Sequence, residues 1–183
     1  MVYLDQAATS FPKLDVVKQA VMDALEVAGN ANRSSNMDSS RLIFEARRNI
    51  ACFFGLSDFH RVILNGGNTE SLNTCIKGIL KEKDHVITTY AEHNSVLRPL
   101  YELEEKGVIS LTICSPYLKD IKNHIQNNTR MVIMTHSSNV TGEIFDVDLI
   151  GKYCKESDIL FMVDAAQSAG HIPVSMENID VLC

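Results

Sequence analysis

The sequence has no positive excess, no membrane-length apolar run, no paired cysteine motif and no leader-like start. Each absence excludes something. Lys and Arg total 17 against 23 Asp and Glu, a formal net charge of −6. The basic residues are scattered rather than clustered, which excludes a general binder of nucleic-acid phosphates. No apolar run approaches the roughly 20 residues of a membrane span, so no membrane partner is expected. Met1-Val2-Tyr3-Leu4-Asp5 carries no signal-peptide pattern, and the expected location is cytoplasmic. The five cysteines, Cys52, Cys75, Cys114, Cys154 and Cys183, include no C-x-x-C pair. That argues against a zinc site or a disulfide framework, and most of them fall in apolar patterns as small buried hydrophobes. Neither G-x-G-x-x-G nor G-x-x-x-x-G-K-[ST] occurs, which leaves no dinucleotide or P-loop fingerprint.

What is present is enough for a domain with a real core: 183 residues, 45% hydrophobic and 22% charged. Strand-like and helix-like patterns alternate through the middle of the chain. Strands are expected over 61–65, 85–89, 109–114, 131–135 and 159–163. Helices are expected over about 15–28, 39–54, 69–80 and 95–106, with shorter helical faces around Ile121 and Tyr153. The apolar runs at 131–135 and 159–163 suit strands buried on both faces. The fold class expected is α/β, a mostly parallel sheet with helices on both faces.

Four of the expected strands empty into polar, small or turn-forming residues. Carboxyl ends of strands are where open α/β sheets bind ligands. Ile159-Leu160-Phe161-Met162-Val163 runs into Asp164-Ala165-Ala166-Gln167. A carboxylate there either meets a cationic ligand atom or caps the next turn. A pyridinium nitrogen would suit Asp164, and a phenolic oxygen on the same ring would suit Gln167, the pattern of a pyridoxal 5'-phosphate (PLP) site. Gly66-Gly67-Asn68-Thr69 places free N–H groups and a hydroxyl at a helix start, where phosphate binds readily, although many such turns hold nothing. His93 either stacks on a flat ring, acts as an acid or base, or does neither. Asn139 either bonds a ligand oxygen or closes an Asx-turn. Each feature alone has an ordinary explanation; four at one edge of one sheet favour the ligand.

Five segments carry a resemblance to the class V aminotransferase group of fold-type I PLP enzymes, nearest to its cysteine desulfurase and selenocysteine lyase branch. They are Asp5-Gln6-Ala7-Ala8-Thr9-Ser10, Gly67-Asn68-Thr69-Glu70-Ser71-Leu72-Asn73, Ala91-Glu92-His93-Asn94-Ser95, Ser138-Asn139-Val140-Thr141-Gly142, and Asp164-Ala165-Ala166-Gln167-Ser168-Ala169-Gly170-His171. They occur in the family's order and cover nearly the whole chain. The resemblance implies a role for each site residue. Asn68 and Thr69 would hold the cofactor phosphate, and His93 would stack on the ring and serve as the catalytic acid or base. Asp164 would pair with the ring nitrogen. Gln167 and Asn139 would bond the phenolic oxygen, and Asn139 would also approach the substrate carboxylate.

The resemblance also implies L-cysteine as substrate, L-alanine and an enzyme persulfide as products, a sulfur-acceptor protein as partner, and a homodimer when full length. Relatives commonly carry Arg-Gly-x-His where this chain has Arg33-Ser34-Ser35-Asn36, and alanine or threonine where it has Asn68. Their cofactor-bonding lysine, sulfur-carrying cysteine and carboxylate-binding arginine would lie past Cys183. None of the ten lysines matches. The chain is therefore read as an arm over 1–14 and a partial PLP-binding large domain over 15–183, inactive by itself. Two alternatives stay open: another class V chemistry such as transamination or selenocysteine cleavage, and a non-catalytic nucleotide- or phosphate-binding α/β domain.

Overall fold

A computed structural model describes residues 2–29 and 37–183, so the polar loop at 30–36, with Arg33-Ser34-Ser35-Asn36, lies outside the described residues. The chain divides into two compact units, Met1–Leu64 and Asn65–Cys183.

The first unit holds α1 (Asp15–Leu25), α2 (Asp38–Phe53) and a 3-10 turn, Phe59–Arg61. Before α1, Gln6 closes a turn by bonding both the N–H and the C=O of Phe11. The apolar face expected on α1 exists, but no residue of that helix is buried. α2 packs on the 3-10 turn through Phe44 and Phe59, rings edge-on at 4.9 Å. The strand expected over 61–65 does not form: Arg61 ends the 3-10 turn, and the residues after it pair with no strand. Ile63 is 74% exposed. An apolar run becomes a strand only where a neighbour completes its hydrogen-bond ladder.

The second unit is the sheet. Its elements in order are α3 (Asn68–Ile79), β1 (Asp84–Thr89), α4 (Asn94–Glu105), β2 (Ile109–Cys114), α5 (Leu118–Asn123), β3 (Thr129–Thr135), α6 (Val147–Glu156), β4 (Leu160–Asp164) and β5 (Val181–Leu182). The spatial order is β2-β1-β3-β4-β5, with every pair parallel. The sequence patterns place β1 to β4 within two residues of their observed ends. The two-residue β5 falls in the stretch read as a tail.

Alternation along the strands divides the core into two layers. Val86, Met131, Ile133 and Met162 point to one face and pack with Leu72, Ile76, Val96 and Leu100 of α3 and α4. Ile87, Val132, Met134, Phe161 and Val163 point to the other and pack with Ile121, Ile150 and Cys154 of α5 and α6. Helices on both faces leave the strand ends as the sheet's exits. At Gly151 in α6, an added Cβ would run into the carbonyl oxygen of Asn178 and the Phe161 ring at 3.0 Å. That helix therefore lies close over the approach to β5.

At the amino ends of the strands, buried His85 bonds Thr129 Oγ1 at 2.8 Å and Thr112 Oγ1 at 2.9 Å, joining β1 to β3 and β2. Burial lowers its pKa below 6.5 and His124 adds to the effect, so this imidazole is a neutral tie rather than a proton carrier.

Candidate functional site at the carboxyl edge of the sheet

The polar groups gather at the opposite edge. Asp164, the last residue of β4, is 4% exposed. Its Oδ1 accepts from Asn68 Nδ2 at 2.8 Å and from the Ala166 N–H at 3.0 Å. The turn-closing role and a ligand-facing one are thus compatible: Ala166 folds the turn, while the partner from α3 holds the carboxylate. A buried carboxylate retains its charge at tolerable cost when N–H groups meet it. Gln167 is half-buried in the turn that follows.

Asn68 opens α3, and its side chain is committed to Asp164. What it can offer an anion is its backbone N–H. The residue before it, Gly67, makes no side-chain cap, so the first-turn N–H groups have no side-chain acceptor from the cap position. Thr69, exposed, stands beside them. Because residues 62–65 form no strand, this phosphate-type cradle is the start of a helix approached by a loop, and the edge comprises three strand ends and that helix start rather than four strand ends.

His93 caps α4. Its Nδ1 accepts from the Ser95 N–H at 3.2 Å and contacts the Ser95 hydroxyl. A neutral ring with an accepting Nδ1 carries its proton on Nε2. His93 and Thr69 line one cleft of about 320 Å³, together with Asn73 and Arg98.

Asn139 lies exposed in the turn after β3. The Asx-turn alternative is met by a different residue. Buried Ser138 accepts from the N–H groups of Val140 and Thr141 through its hydroxyl, and its carbonyl accepts from the Gly142 N–H at 2.9 Å. Gly142 takes φ +73° there, a conformation that favours glycine. In the sequence the signal for this role is a small hydroxyl residue just before a turn-former.

The structure brings Asn68 and Asp164 into direct contact and puts Thr69 and His93 on one cleft. Asn139 and Gln167 follow neighbouring strands, since Thr135 pairs with Asp164 in register. Three of the thiols, Cys114, Cys154 and Cys183, are poorly suited to join them as nucleophiles. Burial pushes Cys114 up to about 11 and Cys154 up to about 12; Cys183 rises to about 12 through burial and its neighbour Cys75. Sulfur transfer needs a thiolate, which these cysteines hold poorly at neutral pH.

The Aminotransferase class-V family profile matches residues 2–183. The chain belongs to this family. Within the class V aminotransferases, it is similar to a cysteine desulfurase, IscS, of Buchnera aphidicola subsp. Schizaphis graminum, at 37% identity over 98% of this chain and 48% of that protein. A cysteine desulfurase IscS of Plasmodium falciparum is 32% identical over 98% of this chain and 36% of its own length. The chain therefore spans about half or less of the relatives it matches. Among solved structures, the apo cysteine desulfurase of Thermococcus onnurineus NA1 superposes with a TM-score of 0.85 at 30% identity, covering 99% of this chain and 48% of that one. SspA in complex with cysteine gives a TM-score of 0.88 at 27% identity, covering 100% and 56%.

Proposed function

We propose that this chain provides the cofactor-holding part of a PLP-dependent cysteine desulfurase. The observation that carries the reading is the buried Asp164 at the exit of β4, held by Asn68 from the first turn of α3, in a chain similar along 98% of its length to cysteine desulfurases. The residues present fit PLP. Its phosphate suits the N-terminal N–H groups of α3 and the Thr69 hydroxyl. Its ring nitrogen suits Asp164, and its phenolic oxygen suits Asn139 and Gln167. When bound, PLP supplies an electron sink for amino-acid chemistry.

The chain's own residues then have separable duties. Asp164 holds a proton on the ring nitrogen by offering a fixed negative charge. Thr69 and the start of α3 fix the phosphate. His93, a cleft-lining residue anchored through Nδ1, keeps Nε2 to give or take a proton near the substrate. In the complete protein, sulfur would leave L-cysteine for an enzyme thiol, giving L-alanine and a persulfide. The substrate assignment leans on the relatives' activity and on the solved complex of SspA with cysteine. A sulfur-acceptor protein and a homodimeric assembly belong to the same reading, as does a cytoplasmic setting; among the described residues no helix is long and apolar enough to cross a membrane.

The test is a thermal-shift series with PLP, ATP and NAD. PLP is expected to raise the melting temperature, and Asp164→Ala to weaken PLP binding at least tenfold. Stabilisation by ATP or NAD alone would instead favour a nucleotide-binding domain. Residues 1–183 alone are expected to release neither alanine nor sulfide from cysteine. They should also carry no PLP label on lysine after borohydride reduction; a label on any of the ten lysines would overturn that expectation.

A further inference from the structure

Glu92 sits beside His93 in the loop before α4, yet its carboxyl reaches back to the sheet. Oε1 accepts from the Thr89 hydroxyl at 2.6 Å and from the Thr135 N–H at 2.9 Å. Those residues end β1 and β3, neighbours at the centre of the sheet. The residue is 8% exposed, and Oε2 is buried with no hydrogen-bond partner. No Lys or Arg pairs with it among the described residues. The charged group acting on it is Asp164, which is in register with Thr135 on the next strand.

A second buried anion here would face a first one with no cation to offset it, and one of its oxygens would have no donor at all. Both conditions favour the protonated acid. Burial drives the Glu92 pKa up to about 8, against the opposing Thr89 and Thr135 donors, and Asp164 adds a smaller rise. Asp164 differs in having two N–H donors on one oxygen.

We propose that Glu92 is a positioning residue of the PLP site: a neutral carboxylic acid that clamps the ends of β1 and β3 and leaves Asp164 as the single anion facing the ring nitrogen. It acts through its neighbours. The clamp fixes the strand end that launches His93 and the one that launches Ser138 and Asn139, while the retained proton keeps the local charge at one. This inference rests on the PLP reading above.

The experiment compares wild type, Glu92→Gln and Glu92→Ala in the 183-residue chain at pH 7. PLP is the probe, followed by equilibrium dialysis, with infrared spectra of the cofactor-free proteins. Glu92→Gln keeps an acceptor and no charge. It should bind PLP within threefold of wild type while losing the carbonyl band of a protonated carboxylic acid. Glu92→Ala should bind at least tenfold more weakly. If the alanine variant does not fold, Glu92→Met, which fills the space without an acceptor, takes its place. Three results would overturn the proposal: a glutamine variant as weak as the alanine one, an alanine or methionine variant that binds like wild type, or no acid band in wild type. Wild type that binds no PLP would overturn the cofactor reading and this inference together. Normal wild-type binding with an indifferent position 92 would overturn this inference alone.

Discussion

Asn68 does something its sequence context did not suggest. A larger residue than the family's alanine or threonine stands at the start of α3, and its amide spans to Asp164 instead of lying toward the phosphate position. The bond satisfies a buried carboxylate, so removing the donor leaves that group short of a partner. Asn68→Ala should cost about 1–3 kcal/mol of stability, read from urea unfolding. Asn68→Asp should cost more at pH 7, because it sets two carboxylates together. The gap between the two variants should close on acidification; a gap that persists at pH 4 would mean the loss is steric. The other candidate residues drew notice as residue types at strand exits or, for Thr69, at a helix start. Glu92 was not, because a buried acid and a surface acid look alike in sequence. The distinguishing fact, a strand end from elsewhere in the chain donating to it, arises only in three dimensions.

At the level of elements, β3 and β4 announced themselves as apolar runs because both of their faces are covered. The run at 61–65 had similar composition and forms no strand. The two residues of β5 had no pattern at all and do form one, in register with Met162 and Val163. The common reason is that a strand is defined by its neighbour as much as by its own residues. α6 holds β5's approach closely at Gly151, where a side chain has no room. Gly151→Ala should therefore destabilise the protein by roughly 1–3 kcal/mol despite alanine's better helix propensity. A gain in the urea midpoint would show that the helix shifts at no cost. In the turn after β3, Ser138→Ala should weaken PLP binding through misplacement of Asn139 while leaving overall stability within about 1 kcal/mol. The check is to compare the two quantities in one preparation.

The whole molecule carries buried titrating groups whose effects on stability oppose one another across the pH range. Glu92 has its pKa raised from 4.5 to about 8. Its contribution is complete below pH 4.5 and is lost as pH rises through about 8. His85 and His136 are lowered from 6.5, each chiefly by burial. Their contribution is complete above 6.5 and is lost as the pH falls below it. Cys114 and Cys154, raised from 9.0 to about 11 and about 12, add a further loss as pH climbs past 9. The urea midpoint of the cofactor-free protein should peak at about pH 6–7 and decline on both sides. Glu92→Gln should flatten the alkaline side between pH 6 and 8. A profile that rises steadily to pH 8 would contradict the burial of that proton.

The bond between Asn68 and Asp164 joins positions 96 residues apart. On a ribosome, α3 emerges long before its partner on β4 does, and domains are completed in the order they are synthesised. Every pair in this sheet is parallel, so no local hairpin can bring the edge together early. A nascent polypeptide paused anywhere short of β4 would display a helix start with no floor beneath it. On the proposed reading, the vitamin would enter a finished vessel once β4 is in place, rather than serve as the seed around which the vessel forms.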